Sequence, residues 1–243
     1  AQFLGLDANL GTLEVGKAAH VVAVEGDLFA DDGAVTATWI DGRLYEAERS
    51  PLKKADASNT ENDEDDEGDD DEEEDDEAKR DLRELWQRRA PTGPLWPEAH
   101  TTAIRHATLL TVTNGTISRG TILINNGRIE AVGPDASVSV PAGTREIDAT
   151  GMFVMPGIVD AHIHIAIAGG GNESAHAVTP EVRITDVIDH RSPSMFRALA
   201  GGVTTVNVLH GSANVIGGQN AVIKLRWGKD VADLFFSRAL LRE

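Results

Sequence analysis

The chain contains no cysteine. Disulfides, thiolate metal ligands and a cysteine nucleophile are therefore excluded. The compartment stays unreadable, since such a chain is as compatible with an exported or periplasmic protein as with a cytoplasmic one. Long apolar runs are missing too: none approaches the ~20 residues that span a bilayer. Basic residues are few, 22 against 40 acidic, and are not clustered. No nucleic-acid surface is expected from them. An initiator methionine is absent, and the opening "AQFLGLDANLG" lacks the basic-then-apolar order of a signal peptide. The chain reads as starting inside a longer protein. No Gly-x-Ser-x-Gly occurs and no Ser-His-Asp arrangement can be argued. "GSANVIGGQ" (211–219) lacks the Lys and Ser/Thr of a nucleotide loop.

The net charge of -18 is mostly local. "ENDEDDEGDDDEEEDDE" (61–77) holds 15 of the acidic residues, leaving 25 acidic against 22 basic elsewhere. Such a block cannot bury enough apolar surface to offset ordering entropy, and its charges repel. Residues 50–100 are expected to be a disordered acidic linker with a short amphipathic helix over 78–90, ended by "PTGPLWP".

Both flanks read as strands. Residues 1–49 contain "HVVAVEG" and "VTATWIDGRLYE", where Asp41–Gly42 signals a hairpin. Residues 101–155 contain "TAIRHATLLTV" and "GTILINNGRIEAVG", with Asn126–Gly127 a second hairpin signal. "REIDATGMFVMPG" reads as one more strand pair around a glycine turn. From 156 to 243 the pattern changes to strands alternating with helices, which predicts βα units and a parallel sheet. Strands are expected at "GIVDAHIHI", "GVTTVNVL" and "NAVIKLRW", a helix at 192–201, and a terminal helix in "ADLFFSRALLRE".

"VMPGIVDAHIHI" (154–165) carries the chemistry. Residues two apart in a strand point to one side. His162 and His164 would share a face, with Ile163 and Ile165 opposite. Two neutral imidazoles so placed can ligate one divalent ion. Asp160, on the same face, could accept a ring N–H and fix a tautomer. The plain alternative is two incidental histidines on a partly exposed strand.

The resemblance decides between these readings. "GRIEAVGPDASVSVPAGTREIDATGMFVMPGIVDAHIHI" resembles the entry to the barrel of the amidohydrolase superfamily. "RALAGGVTTVNVLHGSANVIGGQNAVIKLRWG" resembles its imidazolonepropionase-like branch. "LGLDANLGTLEVGKAAHVVAVEGDLFADDGAVTATWIDGRLYE" resembles the C-terminal end of another unit of that family, with Ala19–His20 in place of the usual Ala-Asp. His20 is read there as a strand residue. The resemblance implies a junction fragment of a tandem two-unit amidohydrolase. The fold class expected is α/β plus β: a small composite β-sandwich and the first two to three βα units of a metal-dependent (β/α)8 barrel. A whole barrel takes ~250 residues, and 87 follow Pro156.

Function follows by the same resemblance. The parent would be a metal-dependent hydrolase of amide, cyclic amide or other C–N bonds, with a metal-activated water attacking a carbonyl carbon. The cofactor implied is a divalent metal, Zn²⁺, held in part by His162 and His164. The family completes the site with a lysine carbamate or glutamate, two further histidines and an aspartate, none assignable here. No catalytic residue is named, and the fragment alone is expected to be inactive. His210 after the second barrel strand, Asn214 and Gln219 are candidate substrate contacts. His176 and His190 are read as structural or solvated, and nothing places His100 or His106 near a site. A small-molecule substrate is the expected partner, and a homo-oligomer is compatible. Two other classes stay open: a non-catalytic scaffold on a degenerate unit, and an acidic run that binds cations or a basic partner.

Overall fold

The computed structural model describes residues 1–26, 33–46, 98, 100–172 and 175–236. All lie in one unit, Ala1–Glu48 with Pro94–Glu243. The acidic run, the helix expected over 78–90 and residues 237–243 lie outside the described residues.

Eight strands form the larger sheet: β1 (Val21–Glu25), β2 (Ala34–Ile40), β3 (Arg43–Glu46), β4 (Thr102–Leu110), β5 (Thr116–Asn125), β6 (Arg128–Pro134), β7 (Arg145–Asp148) and β8 (Met152–Pro156). Their order is β3-β2-β1-β8-β4-β5-β6, with β7 also on β4. Both expected hairpins form. At Asp41–Gly42 φ is 48° and 74°, and at Asn126–Gly127 it is 49° and 77°. Two successive positive φ angles match the right-handed twist of the flanking strands.

The strands on either side of the acidic segment join in one sheet. β1 runs antiparallel to β8, from Val21 opposite Pro156 to Glu25 opposite Met152. Val21, Ala23 and Trp39 from the first group share a core with Ile104, Ile122, Ile124 and Val154 from the second.

Two sequence expectations need correction. β7 and β8 do not pair with each other. They lie end to end along one edge of β4, β7 against Thr102–Arg105 and β8 against Thr108–Leu109. The turn at Gly151 (φ 80°) steps the chain from one to the other. The later strands are also not all parallel. β9 (Ile158–Ile163) and β10 (Val203–Val208) are parallel, but β11 (Ala221–Lys224) returns antiparallel to β10. The loop 209–220 between β10 and β11 forms no helix, so it lacks the helical crossover that usually carries a chain to a parallel partner.

The β9–β10 crossover carries α1 (Pro193–Ala200), entered through Ser192 with proline at its first position. That proline lacks an N–H the first turn would leave unbonded, and its φ suits the helix. Met195 and Leu199 face inward, joining Val206, Val208 and Ile223 in a second core. β2 serves both cores by alternation: Trp39 packs in the first and Ile40 in the second. Thr38 Oγ1 also donates to the Leu199 carbonyl at 3.2 Å. A short turn of helix, α2 (Val231–Leu234), ends the described chain; Phe235 beyond it is extended.

One residue hands the chain from the first sheet to the second. Gly157 follows β8, donates its N–H to the His20 carbonyl at 2.9 Å, and precedes β9. A Cβ there would come within 2.4 Å of the Thr204 side chain.

Candidate functional site

β9 ends at the histidine pair. Ile163 and Ile165 pack against the second core, while His162 and His164 are exposed. The two Nε2 atoms lie 3.1 Å apart, with the rings edge to face at 5.0 Å. The neighbouring strand fixes one ring: His164 Nδ1 is 3.1 Å from the Leu209 carbonyl oxygen, just past β10. A carbonyl only accepts. A neutral His164 therefore carries its proton on Nδ1 and presents a bare Nε2. In the metal-free protein His162 Nε2 must then be the donor across the 3.1 Å contact.

The pair fits one cation as half of its shell. A Zn–N bond is ~2.0–2.1 Å, so two nitrogens 3.1 Å apart can both touch one ion. A ring held through its other nitrogen by a carbonyl is the usual support for such a ligand. Among the described residues no group of three or more His, Asp or Glu is placed to hold a metal.

Asp160 does something other than expected. Its Oδ1 accepts the backbone N–H of His162 at 3.0 Å, not a ring N–H. It shapes the strand end and leaves the tautomers to Leu209. Leu209 acts through its main chain, so no side-chain reading could have found it.

The remaining candidates serve loop packing. The loop after β10 is stitched to residues 175–183: Gln219 N–H bonds the Val182 carbonyl at 2.8 Å, and Thr179 N–H bonds the Ile216 carbonyl at 2.8 Å. Asn214 Nδ2 donates to the His176 carbonyl at 2.8 Å, and Gln219 Nε2 lies 3.4 Å from the Pro180 carbonyl. His210 Nδ1 is 2.6 Å from the Gly211 carbonyl, and its ring fills the place where a Gly217 side chain would stand. His210 lies one residue past Leu209, whose carbonyl meets His164, and Asn214 and Gln219 are committed to neighbouring backbone. His100 and His176 are exposed and His190 half-buried. His106, at a φ of 65°, bonds Asp135 at 2.6 Å in the first sheet.

A second polar cluster escaped the sequence reading. Asp41 binds Arg226, Lys224 (Nζ to Oδ2 3.2 Å) and His20 (3.4 Å). His20 is buried and also meets Thr205 Oγ1 at 3.4 Å. Burial pushes the His20 imidazole down despite Asp41, so it is neutral at pH 7. Burial would raise the Asp41 carboxyl, but the hydrogen bond from His20 and the cations hold it far below its usual range. At neutral pH the charges acting on it are those of Lys224 and Arg226.

No family model matches the chain. It is 36% identical over 75 residues (31% of this chain, 11% of the relative) to adenine deaminase of Paracoccus denitrificans. It is 30% identical over 141 residues (49% and 34%) to imidazolonepropionase of Klebsiella pneumoniae. It is 50% identical over 50 residues (21% and 10%) to allantoinase of Enterococcus faecalis. An amidohydrolase structure from Thermotoga maritima matches 56% of this chain and 37% of its own, at 36% identity and a TM-score of 0.51. These similarities support the amidohydrolase superfamily. The β-rich architecture is compatible with a β domain of that fold. The relatives are hydrolases of C–N bonds. The chain spans at most 34% of the length of the curated relatives named here. No helix among the described residues is long and apolar enough to cross a membrane.

Proposed function

We propose that His162 and His164 are half of the metal site of a hydrolase acting on amide, cyclic amide or other C–N bonds. The observation that carries this reading is the 3.1 Å approach of the two Nε2 atoms. The Leu209 carbonyl supports it by turning the bare nitrogen of His164 toward the shared point. A divalent cation held there, zinc by preference for imidazole, supplies Lewis acidity that activates water and polarises a carbonyl. The chain's own residues place and orient two ligands: Asp160 anchors the backbone of His162, and Leu209 sets the ring of His164.

Catalytic zinc sites use about three protein ligands and an open position. Two exposed histidines hold an ion weakly, so this chain alone is expected to be inactive. We read it as the junction of two tandem units, in which β1–β3 close one and β4–β11 open the next. The β1–β8 pairing supports the composite sandwich expected at such a junction, since it joins strands from both sides of the acidic segment.

Zinc titration by calorimetry tests the half-site. One weakly bound ion per chain is expected, with binding lost in His162→Ala and in His164→Ala. Equal affinity in the double variant would sink the assignment. Sequencing the coding frame on both sides tests the tandem reading, which requires a lysine or glutamate, two histidines and an aspartate downstream.

A further inference from the structure

β9 and β10 fall out of step beside the histidine pair. Val206 lies opposite Asp160, and Val208 lies opposite Ile163. Between those two pairs β10 advances two residues (206 to 208) and β9 three (160 to 163), so β9 carries one extra residue at Ala161–His162. A bulge of this kind re-aims the side chains of its strand. One of them here is His162.

The peptide that joins Ala161 to His162 is gripped at both ends by side chains. Its N–H donates to Asp160 Oδ1 at 3.0 Å. Its carbonyl accepts from Asn207 Nδ2, also at 3.0 Å. Asn207 is the β10 residue between the two register pairs, and it is only 4% exposed. Either end of an amide side chain could face that carbonyl, but only the NH2 can donate. Asn220 makes the choice: its Nδ2 donates to Asn207 Oδ1, which leaves Asn207 Nδ2 for Ala161. Asn220 ends the loop after β10, just before β11. The loop thereby acts on β9 through one buried side chain.

We propose that Asn207, oriented by Asn220, is a positioning residue for His162. It fixes the bulged peptide and so holds the His162 ring against that of His164. Leu209, just past the same strand, sets the other ring through its carbonyl. β10 and its end thus support both imidazoles, one by a side-chain amide and one by main chain. The metal role of Asn207 rests on the half-site reading; its effect on the two rings does not.

Two measurements on the full chain test this. In the metal-free protein, nuclear Overhauser contacts between the two imidazoles, whose centroids lie 5.0 Å apart, report the pair directly. Asn207→Ala should weaken them severalfold, while His164 keeps the Nδ1–H signal that the Leu209 carbonyl imposes. A general loss of stability would not part the two rings in this selective way. In zinc calorimetry the same variant should bind about tenfold more weakly, the lower end of what supporting partners of metal ligands contribute. Asn220→Ala, at an exposed position, should act in the same direction but less, and serves if Asn207→Ala does not fold. Folded variants that keep the parent's ring contacts overturn the proposal, whatever their zinc affinity. A parent that shows the ring contacts but binds no zinc overturns the half-site reading instead.

Discussion

Asp41 and Arg226 are 185 residues apart in sequence and in direct ionic contact, with Arg226 Nε 2.6 Å from Asp41 Oδ2. Asp41 sits in a hairpin turn of the first sheet, and Arg226 follows β11 of the second. The pair therefore ties the two sheets together, with Lys224 and His20 gathered on the same carboxylate.

Asp41→Asn isolates the charge in this tie. Asparagine tolerates the left-handed turn conformation, so the hairpin survives. Lys224 and Arg226 lose their shared anion. Breaking a fully buried pair costs ~3–5 kcal/mol, and the 21% exposure of Arg226 reduces that to about 2–4 kcal/mol. Urea denaturation should show this loss, with the fluorescence of Trp39 and Trp227 reporting on the two cores. A change below about 0.5 kcal/mol would show that the contact contributes little.

His20 makes the same junction acid-sensitive. Burial lowers its folded value below the unfolded ~6.5, so it resists protonation only while folded. The stability this brings is complete above pH ~6.5 and is lost as pH falls below it, at up to ~1.4 kcal/mol per unit. Asp41, also depressed, adds a second loss below its unfolded ~3.9. The denaturation midpoint should decline from pH 7 to 5 in the parent. It should stay flat over that range in His20→Gln. A parallel decline in both would assign the effect elsewhere.

Gly157→Val should be severe because of contact, not backbone strain. A Cβ at Gly157 meets Thr204 Cγ2 and Oγ1 at 2.4 Å, and Thr204 is fully buried. Overpacking of this kind costs ~1–3 kcal/mol or more. Thr204→Ala removes both of the closest atoms, so the double variant should recover part of the loss. Strict additivity of the two changes in a denaturation cycle would contradict the contact.

The sequence made the local structure legible where one residue type answers to one geometry. Asp41–Gly42 and Asn126–Gly127 announced their turns because few other residues accept positive φ. It could not show that the two turns meet, with a Gly127 Cβ position 2.9 Å from the Asp41 carbonyl. Strand partners were the harder part. β7 reads as a partner for β8 because they are adjacent in sequence, yet both pair with β4, whose long edge has room for two. The antiparallel return of β11 was hidden for a similar reason: a strand of four residues, Ala221–Lys224, carries no mark of its direction. At the site, the histidine spacing was readable, but the Leu209 carbonyl was not, because backbone acceptors leave no mark on residue identity.

The histidine pair makes a prediction about protons rather than affinity. Without metal, Leu209 requires the Nδ1–H form of His164, and the 3.1 Å contact then requires the Nε2–H form of His162. A cation shared by both Nε2 atoms needs His162 in the opposite form, with its proton on Nδ1. Zinc should therefore convert His162 from one neutral tautomer to the other while His164 keeps its own. Long-range ¹⁵N–¹H correlation spectra separate the two tautomers directly. Addition of zinc at pH 8 should move the bare-nitrogen signal of His162 from Nδ1 to a metal-shifted Nε2, and leave His164 protonated at Nδ1. Replacing Leu209 by proline would not test this, since the carbonyl remains. His164→Gln would, by freeing His162 to populate both forms without zinc. If instead the metal-free spectra show His164 protonated at Nε2, the carbonyl does not set the ring, and the preorganisation argued for the half-site fails with it.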